Sequence, residues 1–122
     1  MNWLPIMFAL NFSLLLLHEM DAVRAKEWNM LAILKNMKDS IAFIVFSLIH
    51  LPLYAWVIYT VSQTWSIGYA FVWLLVDVFL IVHAAIHFFF RKHTANGFKS
   101  AYSNILIYAM CALSALHLAM ML

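Results

Sequence analysis

The chain has 122 residues, of which 67% are hydrophobic and only 10% are charged. Because soluble domains contain about 25% charged residues, this composition excludes an ordinary soluble domain and predicts one membrane domain over residues 1–122. The formal net charge of +2 excludes a nucleic-acid-binding protein, which needs a dense basic surface, and the single cysteine excludes an internal disulfide. The lipid bilayer is therefore the expected partner.

Four apolar segments are long enough to cross a bilayer, for which a helix needs about 20 residues. They cover about residues 3–22, 41–62, 66–90 and 101–122. The prediction is an all-α, polytopic membrane protein whose four transmembrane helices form an antiparallel bundle. Between the first and second spans, apolar residues recur at helical spacing from Trp28 to Met37. This pattern predicts either an interfacial helix or a cytoplasmic helical extension of the first span.

The basic residues indicate how the spans are oriented. All seven lie at the ends of the first and third spans or in the linkers that follow them: Arg24, Lys26, Lys35, Lys38, Arg91, Lys92 and Lys99. Cytoplasmic loops of membrane proteins are enriched in Lys and Arg, so these two linkers are predicted to be cytoplasmic. Both chain termini are then non-cytoplasmic.

Ionisable residues occur at the end of the first span. The apolar run from Trp3 to Leu17 is only fifteen residues long, so the helix has to continue through His18, Glu19 and Asp21 to cross the bilayer. Ionisable groups are costly inside a membrane unless they face protein or water, so these residues are candidates for a functional site.

A second group of histidines lies at matching depth in the third span. His18 and Asp21 are three residues apart and His83 and His87 are four apart, the spacings at which facing helices bind a metal ion. At about 1.5 Å of helix per residue, all four fall in the cytoplasmic half of the bundle. We predict that they bind a divalent metal, with zinc preferred and iron or manganese suitable if further oxygen ligands join.

Two carboxylates near this site have alternative interpretations. Glu19 points about 100° away from His18 around the helix, so it is a candidate general base and not a ligand. It also fits an ion pair with a basic residue of the nearby linkers. Asp21 and Arg24, three residues apart, fit an ion pair as well, which would compete with metal ligation.

Three further polar residues are predicted to hydrogen-bond the metal ligands, namely His50, Asp77 and Asn104. His117 lies near the opposite face of the membrane and is left outside the site. An alternative without metal is that these side chains hydrogen-bond across helices, which contributes about 0.6 kcal/mol per bond in membrane bundles. A third interpretation is that His50 and His83 ligate heme b, although the large side chains around His50 leave little room for a porphyrin.

The run from His18 to Trp28, HEMDAVRAKEW, resembles the signature of a family of small bacterial membrane proteins of about this length with four predicted helices. The resemblance implies a location in the bacterial inner membrane. It implies no activity, because the function of that family is unknown.

Three hypotheses for the function follow from these residues. One is a membrane metalloenzyme, a hydrolase or oxidoreductase that acts on a lipid-like substrate. Another is a non-catalytic subunit or small transport element of a homo-oligomer or larger membrane complex. The third is a heme b electron carrier. The fold does not decide among them, because helical bundles host many functions.

Overall fold

The computed structural model describes residues 3–63 and 68–122, and within these ranges the regular elements are all helical. The elements are α1 (Trp3–Arg24), a 3-10 helix (Glu27–Met30), α2 (Asp39–Ser62), α3 (Gly68–Phe89) and α4 (Ala101–Met121). Each α-helix is long and apolar enough to cross a membrane. The predicted all-α architecture of four transmembrane helices is therefore confirmed. Residues 66 and 67, where the third span was predicted to begin, lie outside the described ranges.

The four helices do not pack equally tightly. α4 makes its main contacts with both α1 and α3, and the core between these three helices contains Leu15, Leu80 and Met110. α2 contacts α3 and the 3-10 helix less extensively, and its buried residues are Ala42, Phe46 and Val57. The described part of the chain is thus a tight core of three helices with α2 at its side.

The linker between α1 and α2 folds back over the end of α1. Lys26 has a φ of 51°, the left-handed conformation that reverses the chain direction. Trp28 in the 3-10 helix is then buried, and its indole Nε1 donates to Asp39 Oδ1 at 3.1 Å. The helical part of the linker is four residues long and is followed by turns up to residue 37.

The linker between α3 and α4 packs against the first one. Asn96 Oδ1 accepts a hydrogen bond from the backbone N–H of Phe98 at 2.9 Å, and Phe98 is buried. At Gly97, a Cβ atom would lie 2.4 Å from the carbonyl oxygen of Ala25, so glycine is required for this close approach. The two linkers that carry the basic residues therefore meet, and we call this region the basic-linker end of the bundle.

Candidate metal centre

Three imidazole rings converge inside the basic-linker end. His18 on α1 is fully buried, and its Nε2 lies 2.9 Å from His83 Nε2 on α3. One turn further along α3, His87 Nε2 lies 3.0 Å from the same His83 nitrogen. The structure thus brings together three of the four residues that the sequence predicted as metal ligands.

The carboxylate that reaches these rings belongs to Glu27 in the 3-10 helix. Its Oε1 lies 3.6 Å from His87 Nε2 and 3.9 Å from His83 Nε2, and its side chain is only 12% exposed. One candidate ligand atom from each of His18, Glu27, His83 and His87 lies within 4.8 Å of the other three. Glu27 was not among the predicted ligands, because helical periodicity does not reveal that the linker folds back onto α1.

Hydrogen bonding alone accounts poorly for this convergence. The Nε2 atom of an imidazole has one in-plane position, which holds either a hydrogen or a lone pair. His83 Nε2 nevertheless faces two other ring nitrogens, at 2.9 and 3.0 Å. Ligands of a tetrahedral zinc ion lie about 3.3 Å from one another, given metal–ligand bonds of about 2.05 Å. The distances among the four groups lie on either side of this value, so small movements would complete a four-ligand site.

The rings are held by packing on their other side. The ring of Phe98 lies 5.3 Å from that of His18 and 4.6 Å from that of His87, measured between centroids. Within the described residues, the buried Nδ1 atoms of His18 and His87 have no hydrogen-bond partner. Ligand histidines in metalloproteins usually donate this second N–H to a carboxylate or carbonyl. Here the orientation of the two rings is set by Phe98 instead.

Asp21, which the sequence predicted as a metal ligand, is bonded to other residues. Its Oδ1 accepts a hydrogen bond from Arg24 Nε at 2.7 Å, and its Oδ2 accepts one from Ser103 Oγ at 2.5 Å. Arg24 Nη2 also donates to Ser103 Oγ at 3.2 Å. The structure therefore does not bring Asp21 to the three histidines, because the alternative ion pair with Arg24 forms and links α1 to α4.

Glu19, the predicted general base, pairs with His50 beside the candidate metal centre. Glu19 Oε2 lies 3.1 Å from His50 Nε2, so its partner is a histidine of α2 and not a basic residue of the linkers. His50 Nδ1 lies 2.6 Å from the carbonyl oxygen of Phe46 and carries a hydrogen, because a carbonyl only accepts. Both side chains line a cavity of about 330 Å³ between α1 and α2. Both ring nitrogens of His50 therefore have a contact in the structure, Nδ1 with Phe46 and Nε2 with Glu19.

Two residues predicted to support the ligands are found elsewhere. Asp77 Oδ2 lies 2.6 Å from His117 Nδ1, and both side chains are fully buried. Asn104 Nδ2 donates to the carbonyl oxygen of Ser100 at 2.9 Å, within the first turn of α4. Asp77 is six residues before His83, the nearer of the two α3 histidines, or about 9 Å along the helix axis. The expectation that Asp77 and Asn104 support the metal ligands is therefore corrected, because each is bonded to another partner.

The Asp77–His117 pair belongs to a second buried polar group. Beside it, Asn11 Nδ2 donates to Ser114 Oγ at 2.6 Å, and both of these residues are also buried. The pairs connect α3 to α4 and α1 to α4. Sequence pattern does not predict this group, because Asn11 and His117 are far apart in the chain and have no motif in common.

A protein-family model described as a family of unknown function, DUF6713, matches residues 4–122. No curated protein and no solved structure matches the chain significantly. The matched region includes α2, α3, α4, all of α1 except Trp3, both linkers and every residue of the candidate metal centre.

Proposed function

Since the chain belongs to a family of unknown function, its role has to be inferred from the site itself, and we propose that it binds one divalent metal ion inside the membrane. The proposed ligands are His18, Glu27, His83 and His87. Three imidazole nitrogens and one carboxylate oxygen suit zinc, whereas iron or manganese would require further oxygen ligands. The Lys and Arg bias of the linkers supports a cytoplasmic position for this end, in a bacterial inner membrane.

The observation that carries this proposal is the convergence of three Nε2 atoms on one point, at 2.9 and 3.0 Å. Interhelical hydrogen bonds in membranes contribute about 0.6 kcal/mol each. This stabilisation is too small to account for burying three imidazoles and a carboxylate together. A divalent ion would use the lone pair of every one of these nitrogens and would neutralise Glu27. The metal therefore explains the arrangement better than hydrogen bonding between the helices does.

The distances also bear on whether the site is structural or catalytic. Structural zinc sites have four protein ligands, whereas catalytic sites keep one position for water or substrate. Glu27 is the most distant of the four groups, at 3.6 and 3.9 Å from the histidine nitrogens. Bound there, a metal would supply Lewis acidity and an activated water if Glu27 left its fourth position open.

A lipid-directed metalloenzyme is the second candidate function, and one observation favours it. The Glu19–His50 pair lines a cavity beside the metal ligands, as a general base and its partner would. Four permanent protein ligands would instead favour the non-catalytic subunit, because no metal position would remain for a substrate.

Metal analysis of the purified protein tests the proposal. After the protein has been exposed to zinc and the excess removed, inductively coupled plasma mass spectrometry should find one zinc ion per chain. In His83→Ala, the zinc content should fall strongly. His93→Ala is the matched control, because His93 is exposed in the second linker and outside the ligand set. A metal-free wild-type protein, or equal zinc in both variants, would show the proposal to be wrong. A Soret band in the absorption spectrum would assign the histidines to heme instead.

A further inference from the structure

The cavity beside the candidate metal centre has a polar side and an apolar side. Its polar lining comes from Glu19, Ser47, His50 and Tyr54. The remaining lining residues are apolar, namely Leu16, Met20, Val23 and Phe46. No lysine or arginine of the described residues lines it. The cavity volume of about 330 Å³ falls at the lower end of the range of small-molecule sites.

A second cavity lies next to the first, between α1, α2 and α3. It has a volume of about 180 Å³, shares Tyr54 with the first cavity, and has an almost entirely apolar lining that includes Phe12, Leu53 and Val57. A third cavity of about 430 Å³ shares Phe12 and Val57 with the second and reaches Ser62 at the end of α2. Because consecutive cavities share lining residues, we treat the three as one row and call it the α1–α2 seam.

The length of the seam matches one lipid chain. Twelve residues separate His50 from Ser62, which corresponds to about 18 Å along a helix. One leaflet contributes about half of a hydrocarbon core that is about 30 Å thick. The seam exists because α2 packs less tightly than the other helices and buries few of its side chains. A chain that entered from the bilayer would remain among apolar side chains over this whole distance.

We propose that the α1–α2 seam binds a single-chain membrane amphiphile whose head is an uncharged hydroxyl group. The head would lie at Glu19 and His50, and the chain would follow the second cavity past Leu53. An anionic phosphate or carboxylate head would meet the Glu19 carboxyl group with no lysine or arginine in the lining to compensate it. A hydroxyl group requires no such compensation, and it can donate a hydrogen bond to the Glu19 carboxyl group, which a carbonyl oxygen cannot do.

Photolabelling in phosphatidylcholine nanodiscs tests the inference on the full chain. The probe is hexadecanol with a diazirine in the middle of its chain, and the labelled residues are mapped by peptide mass spectrometry. We expect labels on the seam-lining residues of α1 and α2. The same diazirine in palmitate should label the seam about tenfold less, because its head is charged. Labels spread evenly over the exposed residues of all four helices, or equal labelling by palmitate, would overturn the proposal.

Two leucines on either side of Pro52 supply matched variants. Leu53→Trp places a large ring in the second cavity and should reduce seam labelling about tenfold, since the added volume has to displace the chain. Leu51 is 65% exposed and lines none of the three cavities, so Leu51→Trp should leave the labelling unchanged. Unchanged labelling in Leu53→Trp, or an equal loss in both variants, would contradict chain binding in the seam.

Competition tests the hydroxyl head. Excess unlabelled hexadecanol should displace the probe, whereas a decyl-substituted benzoquinone, whose carbonyl oxygens only accept hydrogen bonds, should not. Equal displacement by the benzoquinone, or no displacement by hexadecanol, would overturn the proposal. The inference does not require bound metal, so His83→Ala should lose zinc and keep the same labelling. A wild-type protein that is labelled in the seam but binds no zinc would contradict only the metal proposal, and one that binds zinc but is not labelled there would contradict only this inference.

Discussion

Glu27 reaches the three imidazoles because the residue before it adopts a conformation that non-glycine residues avoid. Lys26 has a φ of 51°, and the left-handed conformation costs an L-residue about 1–2 kcal/mol. Contacts on both sides of Glu27 offset this cost. Lys26 Nζ lies 2.6 Å from Asp39 Oδ2, and Trp28 Nε1 donates to the other oxygen of the same carboxylate. The first residue of α2 therefore helps to position the Glu27 carboxylate.

Replacing the two carboxylates at this end by amides tests which of them is a ligand. Glu27→Gln is expected to weaken zinc binding at least about tenfold, because loss of even a supporting partner of a metal ligand costs 10–100-fold. Asp21→Asn is the control, because its contacts are Arg24 and Ser103 and not the histidines. Titration against a chromophoric chelator measures both affinities. If Asp21→Asn weakened zinc binding more than Glu27→Gln does, Asp21 would be the ligand.

The two linkers supply the parts of the candidate metal centre that the helices do not provide. α1 and α3 supply the histidines, the first linker supplies Glu27, and the second linker places Phe98 against two of the rings. The contact between Gly97 and Ala25 connects these two linkers directly. The geometry of the metal centre therefore depends on loop packing as well as on helix packing.

Gly97→Ala should destabilise this contact. The added Cβ would lie 2.4 Å from the backbone oxygen of Ala25, so one linker has to move. We expect a loss of about 1–3 kcal/mol in the free energy of unfolding, as for other overpacked sites, together with weaker zinc binding because Phe98 moves with the linker. Unfolding followed by circular dichroism in detergent measures the stability. Thr94→Ala, at an exposed position of the same linker, should change neither the stability nor the zinc affinity. Wild-type stability in Gly97→Ala would refute the close contact between Gly97 and Ala25.

At the scale of the whole molecule, α1, α3 and α4 form the core and share two buried polar groups. One is the candidate metal centre at the basic-linker end, and the other contains Asp77 and His117 further along the bundle. α2 contributes His50 beside the first group and leaves much of its apolar surface exposed. This arrangement keeps the ionisable groups of the spans within protein and leaves the α1–α2 seam open to amphiphiles, as a membrane protein with a buried site requires.

The orientation of the whole bundle is tested by labelling from one side of the membrane. In a Cys111→Ser background, Thr94→Cys should react with an impermeant maleimide in inverted vesicles and not in intact cells, because the basic linkers are predicted to be cytoplasmic. A reporter fused after Leu122 should be active on the non-cytoplasmic side. Reaction of the cysteine in intact cells, or a cytoplasmic reporter, would reverse the predicted topology.

The four apolar helices and the matching levels of the three histidines along them could be predicted from the sequence alone. Both properties are local, since the length of an apolar run decides whether it spans a bilayer, and the rise of a helix decides how deep each residue lies. His18 had to lie within the first span because the apolar run before it is too short. Spacing placed His83 and His87 on one face of α3, and the structure brings all three rings together.

Which carboxylate joins these rings, and how the remaining polar residues pair, depends on tertiary packing. The rotation of α1 and its packing on α4 direct Asp21 to Ser103, while the left-handed turn at Lys26 brings Glu27 back over the helix end. Asp77 pairs with His117 because α4 packs against α3. These contacts depend on which helices are neighbours and how the linkers fold. Hydrophobic pattern and helical period encode neither property, because helix neighbours and linker folding are set by contacts between residues distant in the chain.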